Sequence, residues 1–477
     1  MELINQAVGF LNNILWSYVI IGLLLGLGLY FTIGTKFAQI RLIGEMFRIL
    51  KEKSPESKGK KEISSLQAFF IGAATRIGTG NVAGVAMALA IGGPGAVFWM
   101  WLVAILGGAS AFVESTLAQI FKVKSDVGFK GGPGYYMEKQ LGARWMSTIF
   151  AFTIIASFGL TFNAVQSNTI ATAFKNSFSV NPYVTAFLLA ALTAVIIFGG
   201  VTRIARFSEI IVPIMAFFYI GLALYVMVIN ITEIPAVIAL IFKSAFGLEQ
   251  VVGGGMGAAI MMGVKRGLFS NEAGMGSAPN AAATATVSHP AKQGFIQALG
   301  VFFDTLLVCS ATAFIILLSD TYKTGELVGI ELTQAALSEH FGSWAGIFLS
   351  AAIFMFAFSS IIGSYYYGEA NIEFISKGKT ALFVYRVLAI GMVIFGALAS
   401  LQIVWDLADL AMALMALTNL VAIGLLGRIA FKALDDYMAK RKRGEDPVFY
   451  ADDIEGLKGV ECWPTRKEGH VKKAVGK

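Results

Sequence analysis

The sequence predicts an all-α polytopic membrane protein of about 11 spanning helices, ten of which form two inverted five-helix repeats behind one extra N-terminal span. Three observations predict it. The 477-residue chain is 56% hydrophobic and only 14% charged, with a mean hydropathy of +0.71, which leaves too little charge for a soluble surface. Apolar runs of roughly twenty residues recur along its whole length, each able to cross a hydrocarbon core about 30 Å thick. Two of these runs, five places apart in the series, are interrupted by glycines and amides.

Bounded by charged or Pro/Gly-rich breaks, the runs fall near 14–34, 66–91, 95–121, 146–174, 183–200, 208–230, 251–285, 294–318, 344–369, 380–400 and 403–430. The first exceeds a signal h-region, and residues 1–13 ahead of it carry no Lys or Arg, so it reads as a retained span. Charge alternates between successive loops. Lys36, Arg41, Arg48, Lys51, Lys53, Lys58, Lys60 and Lys61 follow the first span, and Lys122, Lys124, Lys130, Lys139 and Arg144 the third. Arg203 and Arg206 follow the fifth, and Arg428, Lys432, Lys440, Arg441, Lys442 and Arg443 close the series. The opposite loops offer Lys175, Lys243 and Lys323. By the positive-inside rule the first group is cytoplasmic, which places the N-terminus outside the cell membrane and the C-terminus inside. The net charge of +7 resides in those loops, so the basicity orients the chain in a lipid bilayer and does not imply nucleic acid.

The expected organisation is an extra span (1–35), a cytoplasmic amphipathic linker (36–63), a first repeat (64–230), an extracellular linker (231–250), a second inverted repeat (251–430) and a cytoplasmic tail (431–477). In the first linker Phe37, Ile40, Ile43, Phe47 and Leu50 share one helical face, opposite Arg41, Glu45, Arg48 and Lys51. This suits a helix in the membrane interface, as a gate element or a plain anchor. Residues 444–477 are polar and aperiodic and read as loosely ordered.

Several chemistries are excluded. Cys309 lies in an apolar run and Cys462 in the tail, which is no disulfide scaffold. His289, His340 and His470 fall in loops or tail, so an intramembrane Ser–His pair or a histidine-held metal or haem has no basis. No Walker loop supplies an ATP motor. The chain is read as no enzyme and as carrying no organic cofactor; its oligomeric state stays open.

The interruptions carry the functional reading. The second span contains Ile77-Gly78-Thr79-Gly80-Asn81-Val82-Ala83-Gly84, and the seventh contains Gly267 to Asn280 with Ser270-Asn271-Glu272-Ala273-Gly274-Met275-Gly276 at its centre. Glycine costs about 1 kcal/mol against alanine inside a helix, and opened backbone at membrane depth persists only where protein or water satisfies it. Gly80-to-Gly84 spacing also suits close helix packing, which accounts for the glycines but not for Asn81, Asn271 and Glu272. Five is odd, so the two spans cross in opposite directions, the arrangement of a secondary transporter with a midplane site.

A broken helix offers free N–H groups and a positive dipole end to a carboxylate. Gly78, Thr79, Gly80 and Asn81 are therefore the candidate carboxylate cradle, with Phe269, Ser270, Asn271, Gly274, Met275 and Gly276 from the second break around the substrate. Gln166 shares a helical face with Asn163 and either meets substrate or bonds between helices; Asn168 lies nearby. Ser359 and Ser360, with carbonyls of Ala74 and Ile77, would complete a sodium shell, unless the serines bond back to their own turn. Arg76, Glu114, Glu209, Lys265, Arg266, Glu272, Asp304, Glu369, Asp406 and Asp409 lie in or near spans, where charges pair or line water.

These residues resemble the alanine/glycine:cation symporter family, the sodium:alanine symporters. The resemblance rests on Gly78-Thr79-Gly80-Asn81-Val82-Ala83-Gly84-Val85-Ala86 with Gly92-Gly93-Pro94-Gly95-Ala96, and on Gly267-Leu268-Phe269-Ser270-Asn271-Glu272-Ala273-Gly274 with Gly276-Ser277-Ala278. Gly131-Gly132-Pro133 adds to it, and it extends over about residues 60–430. The resemblance implies import of alanine or glycine with Na+ as coupling ion, by alternating access in a leucine-transporter-type (LeuT-like) fold. In that wider fold a Gly-Leu-Gly-Asn segment holds the substrate carboxylate and helps bind sodium, and Gly78 to Asn81 look like its counterpart. A Thr/Ser-Ser pair on the eighth core helix completes a sodium site there, and Ser359-Ser360 look similar. A proton-coupled carrier of the same fold is the alternative. An ion channel is the more distant one, against which inverted repeats within one chain argue.

Overall fold

The computed structural model describes residues 2–52, 63–125, 128–198, 201–248 and 255–468. Lys53, Lys58, Lys60, Lys61 and His470 lie outside this set, as do the side chains of Arg203, Arg206 and Glu209. The described chain is helical apart from one small antiparallel hairpin, Val123–Ser125 with Gly128–Lys130. Seven described helices are long and apolar enough to cross a membrane: Gln6–Gly34, Gly95–Ile120, Arg144–Phe178, Pro290–Leu317, Trp344–Ile375, Lys379–Leu398 and Leu401–Lys442. The pair Ala216–Ile229 and Ile234–Ala245, bent by 105°, makes eight if taken as one span. The helices follow the order of the expected runs. The sequence count of about 11 also includes Pro182–Ile197 and the two interrupted segments, whose helical pieces each fall short of a core about 30 Å thick at about 1.5 Å per residue. Outward apolar side chains such as Phe187, Phe217, Phe383 and Leu425 are exposed, as a lipid-facing surface requires.

Both interruptions are built locally. Ser64 caps the Ser65–Arg76 helix, its Oγ accepting from Gln67 N at 3.0 Å while Gln67 Oε1 accepts from Ser64 N at 3.1 Å. That helix stops at Ile77, which is extended (ψ 90°), and the chain resumes as a π-helical turn over Gly80–Gly84 leading into Val85–Gly92. The later helix, Met256–Asn271, stops where Glu272 turns left-handed (φ 59°), followed by Gly274 (φ 83°) and Gly276 (φ 89°). Glycine takes that region without the Cβ clash that other residues meet. Glu272 is held in it by Ser277 Oγ, which donates to its carboxylate at 2.6 Å. Ala278–Thr284 then restarts the helix with a proline in its first turn.

Three features differ from the sequence reading. The 231–250 linker contains its own helix, Ile234–Ala245, which docks on the start of Gly95–Ile120: Gly95 N donates to Ser244 Oγ at 3.0 Å and Trp99 Nε1 to Ala245 O at 3.2 Å. The amphipathic linker forms two short helices, Ala38–Arg41 and Ile43–Leu50, because Phe37 is left-handed and Leu42 lies off the helical region. Its Phe37, Ile40, Ile43 and Phe47 are exposed, while Met46 and Ile49 face the protein.

The tail is the largest departure. Residues 444–468 do not hang loose. The Leu401–Lys442 helix runs on past residue 430, and the chain then lies along the basic face. Phe449 is fully buried beside His289 and Trp463, its N–H donating to Ser288 O at 2.9 Å. Trp463 Nε1 donates to Gln119 O at 2.8 Å, and Lys440 bonds both Asp436 and Asp453 at 2.6 Å. Isolated aromatic and charged anchors hold this strap, and they leave no periodicity to read.

Candidate substrate and cation site

At the first break the donors freed by the unwound turn are met by side-chain amides. Gly78 N donates to Asn81 Oδ1 at 2.9 Å; Thr79 N and Oγ1 donate to Gln166 Oε1 at 3.1 and 2.9 Å. Gln166 reaches this point from the Asn163–Phe178 helix. The two glycines mark close backbone approaches. A Cβ on Gly78 would overlap Ser360 Oγ, and one on Gly80 would lie 3.0 Å from Phe269 Cδ1 and 3.1 Å from Ser270 Cα. The first break and the end of Met256–Asn271 are thus in contact.

Beside it is an oxygen-lined pair. Ser360 Oγ donates to Ala74 O at 2.9 Å and to Phe356 O at 3.0 Å. Among the described residues Ser359 Oγ donates only to Phe356 O, at 2.8 Å, within its own helix. The structure brings Ser360, Ala74 and Gly78 together, with Ile77 buried next in sequence. Neutral carbonyl and hydroxyl oxygens suit a hard cation. Among the described residues no group of three His, Cys, Asp or Glu side chains could hold a metal ion.

Asp304 joins the two broken segments. Its carboxylate accepts from Asn81 Nδ2 at 2.6 Å, Ser270 Oγ at 2.8 Å and Thr305 Oγ1 at 2.9 Å. Asn271 Nδ2 reaches Thr305 Oγ1 at 3.3 Å, and Asn81 O accepts from Thr312 at 2.6 Å. Sequence reasoning marked Asp304 as an intramembrane charge without assigning it a partner, because the partners that link it to the two breaks, Ser270 and Asn81, lie some thirty and two hundred residues away.

The second break is filled from within. Glu114 of the Gly95–Ile120 helix accepts from Gly274 N at 3.1 Å and Gly276 N at 3.0 Å, and from Asn419 Nδ2 at 2.8 Å. Asn419 Nδ2 also donates to Gly274 O at 2.9 Å, and the Tyr136 hydroxyl bonds its Oδ1. Phe269 and Ser270 therefore meet the first break, whereas Gly274 and Gly276 face Glu114 and Asn419. Met275 is buried between them, and Asn271 bonds Thr305 and Ala273 N.

A roof closes the side away from the basic face. The Phe269 ring lies 4.4 Å from Phe162 and 4.7 Å from Trp405. The Arg266 guanidinium stacks 4.4 Å above Trp405 and pairs with Asp409 at 2.6 Å; Lys265 joins the same carboxylate at 3.3 Å. Phe162 and Trp405 were missed from sequence, where aromatic residues in apolar spans read as core. The i, i+4 spacing of Trp405 and Asp409 was the available signal.

The sequence profile described as the sodium:alanine symporter family matches residues 1–451. The chain is 58% identical over 464 residues to the amino-acid carrier protein AlsT of Bacillus subtilis (strain 168), covering 97% of this chain and 98% of that one. It is 55% identical over 474 residues to the probable sodium/glutamine symporter GlnT of the same organism, covering 99% of each. It is 37% identical over 444 residues to the sodium/alanine symporter AgcS of Methanococcus maripaludis, covering 91% and 97%. Among solved structures it resembles MhsT in complex with L-phenylalanine, with a TM-score of 0.54 at 14% identity over 79% of this chain and 96% of that one. At that identity the likeness speaks for the fold, which is of the leucine-transporter type.

Proposed function

The chain belongs to the sodium:alanine symporter family, and from that premise we propose that it imports alanine and glycine with sodium by alternating access, the basic face being cytoplasmic. It is a multi-pass membrane amino-acid symporter and not an enzyme. The observation that carries the substrate reading is the unequal filling of the two breaks. Gly274 and Gly276 already hold a carboxylate, that of Glu114. The Thr79 donors hold only the neutral oxygen of Gln166. A substrate carboxylate makes stronger, charge-assisted bonds there than an amide oxygen does, so it displaces Gln166 and leaves that side chain free to meet the substrate. Ser360 Oγ with Ala74 O, and the Ile77 carbonyl beside them, would take the sodium ion, with Ser359 turning in from its own helix.

Phe162, Phe269 and Trp405 limit the space above Gly80, which supports alanine and glycine over larger side chains. Glutamine is a second reading, favoured by the printed name of the 55% identical relative. Uptake of labelled alanine into proteoliposomes tests the proposal. Uptake is expected with an inward sodium gradient, and not in choline or with a proton gradient alone. Unlabelled glycine should compete and leucine should not. Glutamine competing better than alanine would replace the substrate, and uptake driven by protons alone would replace the ion.

A further inference from the structure

A column of buried polar side chains without partners runs from the first break toward the basic face. Arg76, 2% exposed, has no hydrogen-bond partner at Nε, Nη1 or Nη2 among the described residues. Gln293 and Gln297 are fully buried and have none at either side-chain atom among the described residues, and Thr116 Oγ1 has none. These residues occupy one wedge. Along the Pro290–Phe302 helix Gln293, Gln297 and Gly300 fall at i, i+4 and i+7, on one face. Opposite them, Gly72 and Arg76 fall at i and i+4 of Ser65–Arg76. A Cβ on Gly72 would lie 3.0 Å from Gln297 Oε1, one on Gly300 would overlap Arg76 Nη1, and one on Gly294 would overlap Thr116 Oγ1.

Buried polar groups are nearly always partnered, and a run of orphans in one place calls for an explanation. Packing does not supply one, because glycines at three contacts bring bare backbone against polar tips. Charge balance supplies half of one. Glu114, Glu272 and Asp304 lie within Coulomb reach of Arg76, yet each spends its hydrogen bonds elsewhere: on Gly274 and Gly276, on Ser277, and on Asn81, Ser270 and Thr305. The guanidinium is electrostatically tolerated while all its donors stay free, and its planar fork matches a carboxylate.

We propose that this column is the release path of the carrier, and that Arg76 is a transient binding subsite for the α-carboxylate of the departing amino acid. Arg76 immediately precedes Ile77, so a carboxylate leaving the Thr79 donors toward the basic face meets it first. Gln297 and Gln293, next along the face, supply both donors and acceptors to the zwitterion and its water. The subsite is absent from the binding step and present in the release step. It rests on the amino-acid carrier reading above.

The test uses labelled alanine with the purified full chain, wild type beside Arg76→Gln, Arg76→Lys and Gln297→Leu. Equilibrium binding in sodium is measured in detergent and net uptake in proteoliposomes. Arg76→Gln is expected to bind alanine within about threefold of wild type and to lose at least tenfold in uptake, the pattern of a lost transport-step contact. Arg76→Lys should recover part of that loss, and Gln297→Leu should slow uptake several-fold at unchanged affinity. Wild-type uptake by Arg76→Gln overturns the subsite, and so does loss of alanine binding in a monodisperse Arg76→Gln protein. Restoration of uptake in the double variant Arg76→Gln/Glu272→Gln also overturns it, because charge balance would then be the whole role. If Arg76→Gln does not fold, Arg76→Lys decides: unchanged turnover overturns the proposal, and reduced turnover at retained affinity supports it. Failure of the wild type to take up alanine overturns the carrier reading instead.

Discussion

Segments 77–84 and 272–277 both open a helix at membrane depth, yet their freed donors end on different acceptors. At 272–277 two backbone N–H groups and the Asn419 amide converge on Glu114, and Tyr136 holds Asn419 in turn. At 77–84 the donors end on Asn81 and Gln166. Three donors share the one Glu114 side chain, which Asn419 and Tyr136 brace, whereas the Thr79 donors share a single amide oxygen, so the later break is a fixed joint and the earlier one is exchangeable. Two interruptions that look alike in sequence therefore differ in the structure: one is tied to the Gly95–Ile120 helix through Glu114, and the other is the one we propose for the ligand.

The largest effect that would break this division is Gly80→Val. A Cβ there stands 3.0 Å from Phe269 Cδ1 and 3.1 Å from Ser270 Cα, the latter backbone, and the β-branched side chain stiffens the unwound turn as well. Alanine binding and uptake should both vanish while the protein still elutes as a monodisperse species in detergent. Near-normal alanine affinity in a well-folded variant would move the carboxylate to the second break. The matching change in the fixed joint, Glu114→Gln, should do the reverse. It keeps one acceptor oxygen but puts an amide NH2 where the other accepts, leaving a buried donor unmatched at a cost of about 1–3 kcal/mol. Thermal stability in detergent should fall, while the surviving folded fraction binds alanine as the wild type does. A variant of unchanged stability that no longer binds alanine would reverse the two roles.

How much of this contrast was legible in the sequence follows from where the information lies. Spanning helices are local runs of apolar residues, so their order could be read directly. The breaks could be read because glycine and amides stand out against such runs. The sodium shell of Ser359, Ser360 and the Ala74 and Ile77 carbonyls came from the paired hydroxyls and the repeat argument, with the family resemblance added to it, and the structure sets Ser360 beside Ala74. What fills each break could not be read: Glu114 carries no local sign that its acceptors meet Gly274 and Gly276, and Gln166 bonds Thr79 from another span. The docked tail was invisible for a related reason. Phe449 and Trp463 are single anchors, and pattern reading needs repetition.

Sodium linkage sharpens the first break further. Ser360 Oγ bridges to Ala74 O, whereas Ser359 Oγ bonds within its own helix. Ser360→Ala is expected to raise the sodium concentration for half-maximal alanine binding about tenfold, equivalent to about 1.4 kcal/mol. Ser359→Ala should raise it less. Titration of alanine binding against sodium checks both, and an unchanged response in Ser360→Ala would place the ion elsewhere.

The smallest effect concerns the ends of the two segments, which are tied together where their centres differ. Thr286 N donates to Ile63 O at 3.0 Å, and Ile63 and Trp463 pack on Ala68, Ala285 and Val287. The strap that supplies Trp463 passes over His289, whose ring lies 5.3 Å from Phe449. Burial pushes the His289 imidazole below its usual value; the neighbouring Asp436 pulls the other way, while Lys440 and Lys292 add to the depression. A folded value below the unfolded one means that the docked state binds the proton less well than the undocked state. Docking is therefore fully stable above about pH 6.5 and weakens as pH falls through the range below it, by at most about 1.4 kcal/mol per unit for one proton. Limited proteolysis after the Leu401–Lys442 helix should speed up between pH 7.5 and 5.5, and His289→Asn should flatten that dependence. Equal protection at both pH values, or an unchanged acid response in His289→Asn, would remove His289 from the joint and leave the aromatic contacts of Phe449 and Trp463 as what holds the ends of the two segments together.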